Sequence, residues 1–188
     1  MHKPQLFIST KNLLLRSWKD SDTEPFILLN SDPEVMEFFP SVLQPAESIS
    51  QIKRIQKHFA DYGSGFFAVE RKDNHQFIGF TGFSHPAFDS FFTPCVEIGW
   101  RYSKQNWGHG FATEAAAACM EYGFQQLGLQ EIFAFTSAHN KRSELVMQRT
   151  GMQFTARFAH PLLEEGHQLS PHLLYKKQHE NNAGIRHK

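Results

Sequence analysis

The sequence predicts an α/β domain built around one mixed sheet. Three observations carry this reading. β-favouring runs and helical stripes alternate along the chain instead of falling into separate blocks; a long amphipathic helix follows directly on a glycine-bearing loop; and 188 residues are enough for one core without a second domain. No repeat, low-complexity block or interdomain linker interrupts the order strand, two helices, three strands, helix, strand, helix, two strands.

Leu13 to Arg16 reads as a short strand, after which Ser21 or Asp22 caps a helix running through Phe26 and Leu29. Ser31, Asp32 and Pro33 restart the chain toward VMEFF. Beyond Pro45, ESISQIKRIQKHFADYG places Ile49, Ile52, Ile55 and Phe59 at three- and four-residue spacing, an amphipathic helix stopped by Gly63. Phe66 to Arg71 and Gln76 to Phe83 are β-favouring runs joined through Lys72, Asp73, Asn74 and His75, which makes a hairpin. A third strand covers about Cys95 to Tyr102, past a loop with Pro86, Asp89 and Pro94. From Ala112, the positions Ala115, Ala116, Cys119, Met120, Gly123, Phe124 and Leu127 keep a helical apolar stripe, with Glu114, Glu121 and Gln125 outside it. Gly128 ends that helix. EIFAFTSA forms the next strand, Ser143 to Arg149 a short helix ending at Gly151, and Gln153 to Phe158 and Leu169 to Tyr175 two late strands. From Lys176 onward the chain is polar, so the expected domain is 1–176, followed by a mobile tail over 177–188.

Lysine plus arginine equals aspartate plus glutamate at 19 each, so no overall field draws the chain to nucleic acid or an anionic membrane. The two cysteines, Cys95 and Cys119, sit in apolar surroundings outside any CxxC spacing, as buried thiols do in a reducing compartment. With neither a signal-peptide core nor a span-length apolar run, the expected location is the cytoplasm, with no membrane partner. The 11 histidines are scattered without ligand spacing, so no metal is expected. Most of the 19 phenylalanines are expected in the core.

The stretch QNWGHGFATEA sets Gly108 and Gly110 at the mouth of the long helix. Helix N-termini carry unpartnered N–H groups and a partly positive dipole, and glycines let the preceding main chain approach an anion closely. A Walker loop is excluded because Phe111 and Ala112, not lysine and serine, follow Gly110; a dinucleotide GxGxxG is excluded by Thr113. What remains is QxxGxG, from Gln105, Asn106, Trp107, Gly108, His109 and Gly110, between the strand VEIGWRYS and an amphipathic helix. This resembles the pyrophosphate-binding motif of the GNAT acetyltransferases. LLLRSWKDSD, SDPEVMEFF, VEIGWRY and NKRSELVMQRTGM are similar to the RimJ/RimL-like branch, the ribosomal-protein N-terminal acetyltransferases, over about residues 10–176.

The resemblance implies a mostly antiparallel sheet, splayed at a cleft for acetyl-coenzyme A. It implies that Gln105 through Gly110 hold the pyrophosphate, with Phe111, Ala112 and Thr113 opening the helix. It also assigns a main-chain N–H among Ile98, Gly99 and Trp100 to the thioester carbonyl, Asn140 to the pantetheine arm, Glu97 to proton removal from the amine, and Ser143 to the departing thiol. Met147 stands where many relatives have a tyrosine acid, and methionine donates no proton. Read without the resemblance, Glu97 is an edge or salt-bridged carboxylate, Asn140 a helix N-cap and Ser143 a helix-start residue capping its own backbone. Glu97 lies among Val96, Ile98 and Trp100, whose burial would raise its pKa toward that of a useful base.

Phe38, Phe39, Phe88, Phe91 and Phe92 offer an aromatic acceptor wall or simple core packing, with Glu37 or Asp89 drawing in a cationic amine. The expected acceptor is a protein N-terminal amine, ahead of a polyamine, aminoglycoside or small metabolite, and the protein is a monomer or homodimer. A catalytically silent coenzyme-A-binding module is the rival of a different class.

Overall fold

The alternating runs become eight strands and four α-helices within residues 4–180, the part of the chain that this computed structural model describes. They are β1 (Leu6–Ser9), β2 (Leu13–Arg16), α1 (Thr23–Ser31), α2 (Pro45–Tyr62), β3 (Phe66–Arg71), β4 (Phe77–Ser84), β5 (Glu97–Tyr102), α3 (Phe111–Gln125), β6 (Glu131–Ser137), α4 (Lys141–Arg149), β7 (Gln153–Ala159) and β8 (Pro171–Gln178). One sheet joins all the strands in the order β1-β2-β3-β4-β5-β6-β8-β7.

Every neighbouring pair is antiparallel except β5 and β6, which run parallel. That parallel pair meets through one register pair, Glu97 opposite Phe133, with the Phe133 N–H on the Val96 carbonyl at 2.9 Å. By contrast β4 and β5 stay in register from Glu97 through Tyr102. The sheet is therefore split beyond Glu97, closed at that end and open toward Tyr102. This is the mixed, mostly antiparallel and splayed sheet that the sequence led us to expect.

Alternation along the strands separates two cores. Leu13, Leu15, Phe67, Val69, Ile78, Phe83, Ile98 and Ile132 form one with the α3 stripe Ala115, Ala116, Cys119, Met120 and Phe124. Gly123 lets α3 lie close, since a Cβ there would come within 2.8 Å of the Phe83 ring. On the other face Phe26, Leu29, Val35 and Phe80 pack with Trp18, Phe66 and Trp107 partly buried around them.

Four details differ from the reading above. β1 was not foreseen: LFIS is a four-residue edge strand, only partly buried, and its pairing with β2 supplies what its pattern lacks. Asp22 does occupy the N-cap of α1, but its carboxylate makes no cap bond; it accepts from Lys19 N–H at 2.8 Å and from Arg16 at 2.7 and 2.9 Å, because a buried guanidinium needs a counter-charge. In α2 the inward face runs through Ser48 and Ile55 and leaves Ile49 exposed. β8 continues past the expected boundary, Lys177 and Gln178 pairing with Ile132 and Glu131, since ladder bonds need no apolar side chain. The rest of the expected tail, 181–188, lies outside the described residues.

Candidate active site

The split between β5 and β6 brings the expected residues to its two ends. At the closed end stands Glu97, half-buried, with the Ser84 hydroxyl donating to Oε2 at 2.7 Å. Burial pushes the carboxyl up to about 7, the Ser84 bond opposing the shift by favouring the charged form. A carboxyl in that range exchanges protons near neutrality. The neighbouring Cys95 thiol is pushed up to about 11 by burial and by the charges of Glu97 and Glu131, so it stays protonated.

Strand alternation decides which amides face the gap. Ser103 N–H bonds the Ile78 carbonyl at 3.0 Å, which makes Arg101, Gly99 and Glu97 the hydrogen-bonded partners of β4. The intervening N–H groups of Ile98 and Trp100 then point toward β6, as the Val96 carbonyl does where it meets Phe133. Gly99 spends its amide on the β4 ladder opposite Gly82.

At the open end a short 3₁₀ turn, Lys104–Asn106, leads into the glycine loop. Gly108 and Gly110 have φ of 79° and 80°, the left-handed region that costs glycine nothing. A Cβ on either would meet nothing within 4 Å among the described residues, so both glycines border open space there. The first α3 bond runs from Glu114 N–H to the Gly110 carbonyl at 2.9 Å, leaving the N–H groups of Phe111, Ala112 and Thr113 without helical partners. Donors and open space together fit a pyrophosphate.

The side chains of this loop serve mainly to hold it. Asn106 is buried and donates to Ser103 Oγ at 2.8 Å; Trp107 Nε1 donates to the Tyr102 carbonyl at 2.8 Å; the Phe111 ring is buried and stacks with His109. Gln105, His109 and both glycines are exposed. Glu114 anchors the helix start from behind, accepting from Thr10 Oγ1, Asn12 N and Asn12 Nδ2 at 2.6, 2.7 and 2.8 Å.

Across the gap, α4 begins on Asn140, whose Oδ1 caps Ser143 N–H at 3.1 Å while its Nδ2 donates to Ser143 Oγ at 3.1 Å. The N-cap role is thus present, and Ser143 Oγ, as acceptor in that bond, keeps its own proton free to donate. Arg142 shows how close the two sides stand, its guanidinium lying 4.3 Å from the Trp107 ring centroid. Met147 is buried in the core, away from any proton-donating role.

The aromatic acceptor wall divides in two. Phe38 and Phe39 lie beside Arg142 and Arg101, respectively, whereas Phe88 meets Phe135 edge-on and Phe92 packs on it at a tilt, and Phe91 is 70% exposed. Glu37 does not stand ready for a cationic amine, because Arg142 pairs with it at 2.8 Å. Ser84 and Arg101 escaped the sequence reading; neither has a local signal, because their roles follow from strand register and from contacts with distant helices.

The split mixed sheet sets a carboxyl at its closed end and a glycine-led helix mouth at its open end, an arrangement suited to acyl transfer from an anion-bearing donor. Residues 12–153 match the Acetyltransferase (GNAT) domain profile, and the chain belongs to that family of acetyl-transferring enzymes. It is 33% identical over 150 residues to the N-acetyltransferase YoaA of Bacillus subtilis, covering 78% of this chain and 82% of that protein. A GNAT-family acetyltransferase from Bacillus anthracis superposes with a TM-score of 0.76 at 25% identity, over 92% of this chain and 98% of that one.

Two more distant structures share the fold. The ribosomal-protein-S5-alanine acetyltransferase of Vibrio fischeri has a TM-score of 0.73 at 17% identity, over 93% of this chain and 97% of that one. The spermidine N-acetyltransferase of Vibrio cholerae, in complex with CoA and spermine, has a TM-score of 0.69 at 17% identity, over 88% of this chain and 95% of that one.

Proposed function

We propose that this enzyme acetylates a protein N-terminal amine, in the manner of the RimJ/RimL-like branch. The observation that carries the chemistry is Glu97, a carboxyl pushed up to about 7 at the closed end of a gap whose open end is the glycine loop. Acetyl-coenzyme A supplies the acetyl thioester. The N–H groups of Gly108 through Thr113 hold its pyrophosphate and Asn140 its pantetheine arm. The N–H groups of Ile98 and Trp100 polarise the carbonyl. Glu97 removes the amine proton, and Ser143 Oγ donates toward the departing sulfur.

The acceptor rests on the motifs shared with the ribosomal-protein branch and on the carboxylates beside the gap. Glu34 and Glu37 are each already paired, with Lys104 and Arg142, an arrangement better suited to a singly charged amine than to a polycation. A free-thiol assay over N-terminal peptides, spermine and an aminoglycoside tests this. Thiol release with peptides is expected to exceed that with the polycations. Faster release with spermine would replace the acceptor class, and acetyl-coenzyme A binding without release on any amine would make the chain a silent binding module.

A further inference from the structure

Arg101 is a buried cation that no carboxylate among the described residues neutralises. It follows Glu97 by four residues on β5, so strand alternation sets Glu97, Gly99 and Arg101 on the same face. Its Nη1 donates to Asn30 Oδ1 at 2.6 Å, and its guanidinium lies 4.2 Å from the Phe39 ring and 5.5 Å from Phe80. The residue is 9% exposed, and its Nε has no partner among the described residues. Burial lowers its pKa only to about 10, so it remains a cation near neutral pH. Arg16, also buried, shows the usual solution, with carboxylates of Asp22 and Glu70 at 2.7 and 2.6 Å.

The Asn30 contact uses a neutral oxygen and one corner of the guanidinium. On the edge formed by Nε and Nη2, which matches the two oxygens of a carboxylate in parallel, the buried Nε has no partner among the described residues. Its cover, Phe39, belongs to the connection between α1 and α2 and is 39% exposed, so a loop side chain rather than packed core stands over the cation. Between Arg101 and Glu97, Gly99 carries no side chain and the partly buried Phe66 ring floors the gap, 3.1 Å from where a Cβ on Gly99 would stand.

We propose that Arg101 binds an oxyanion of the acceptor, so that the acceptor joins its reacting amine to a carboxylate. This rests on Glu97 receiving the amine. Four residues of strand separate the two Cα atoms by about 13 Å, and Glu97 Oε1 leans along the strand to 3.9 Å from where a Cβ on Gly99 would stand, so the two groups of the acceptor stand several bonds apart. A peptide N-terminus with an acidic residue just behind it has this chemistry. So does a free amino acid reacting through a side-chain amine.

Two matched pairs test it: the C-terminally amidated peptides Ala-Asp-Ala and Ala-Asn-Ala, and lysine against lysinamide. In at least one pair the carboxylate member is expected to show a kcat/KM about tenfold higher, expressed in KM. Arg101→Gln is expected to collapse that ratio toward one, with Arg101→Lys between, as a point charge replaces the fork. Thermal melts verify folding, and should Arg101→Gln not fold, Arg101→Lys carries the comparison. A ratio near one for wild type in both pairs overturns the proposal, as does a ratio that survives substitution. So does a weakened affinity for acetyl-coenzyme A with the ratio intact, which would place Arg101 on the coenzyme. If no member is acetylated, the acyl-transfer reading for these amines fails separately. Calorimetric binding of the same pairs to enzyme saturated with coenzyme A then reads the ratio without turnover.

Discussion

At Glu97, burial and the Ser84 hydroxyl act in opposite directions on one carboxyl, and burial prevails. As base it must be ionised, so kcat/KM is expected to rise with pH through about 7 and level off above. Glu97→Gln is expected to remove that limb and to lower kcat by roughly 10²- to 10⁴-fold, with coenzyme affinity little changed in calorimetry. A pH–rate profile that survives the substitution eliminates Glu97 as base. The same group bears on stability with a definite sign. The folded state keeps the proton from the ordinary 4.5 up to about 7, so the wild type loses stability as pH rises through that window. Glu97→Gln has no such loss, which thermal melts at pH 5 and pH 8 compare. Ser143→Ala should cost less than about 10²-fold in kcat, since a thiolate leaves readily without full protonation.

At the scale of the element, the α3 mouth and the α4 start answer to different chemistry. Gly110 sits at a φ of 80° beside open space, so its replacements act in two ways. Gly110→Ala is expected to cost about 1 to 2 kcal/mol in stability from the left-handed backbone alone, read by denaturant unfolding. Gly110→Trp also fills the space and should abolish acetyl-coenzyme A binding in calorimetry; normal binding by that variant would remove the loop from the coenzyme site. For α4, Asn140→Ala loses the cap on Ser143 and about 1 kcal/mol of stability, whereas Asn140→Ser keeps a capping oxygen. An affinity loss in the serine variant at unchanged stability separates a pantetheine contact from the cap.

The same scale shows how far local signals reach. The α3 stripe, the stop of α2 at Gly63 and the β3–β4 hairpin follow from periodicity and turn residues, which are properties of neighbouring positions. β1 escaped notice because four edge residues carry too little pattern to stand out, and their partner in β2 supplies the missing half. The end of β8 runs beyond its local signal for the converse reason: its last residues are polar, but β6 binds their backbone.

On the scale of the molecule, a buried network joins β2, β3 and the start of α1. Arg16 pairs with Asp22 and Glu70, and Lys19 and His75 reach Glu70 as well. Burial alone would raise Glu70, but the hydrogen bonds from Lys19, Arg16 and His75 outweigh it and hold the carboxyl at about 2. That stabilisation is complete above the ordinary carboxylate value of 4.5 and is lost as pH falls from there toward 2. Acid unfolding is therefore expected to begin below about pH 4.5. Glu70→Gln should cost roughly 3 kcal/mol at pH 7 and flatten the acid limb, as denaturant melts across pH would show.

By itself the sequence determined the kind and order of the elements after β1, the glycine loop and the GNAT resemblance, because helical period, strand alternation and left-handed turns are written in adjacent residues. Tertiary structure alone decided that Ser84 faces Glu97, that Ile98 and Trp100 rather than Gly99 turn their amides to the gap, that Arg142 takes up Glu37, and that Arg101 lies buried with no counter-charge among the described residues. Each depends on register between strands or on contacts between helices far apart in the chain, and a shift of one residue in register would turn a different side chain and a different amide to the site.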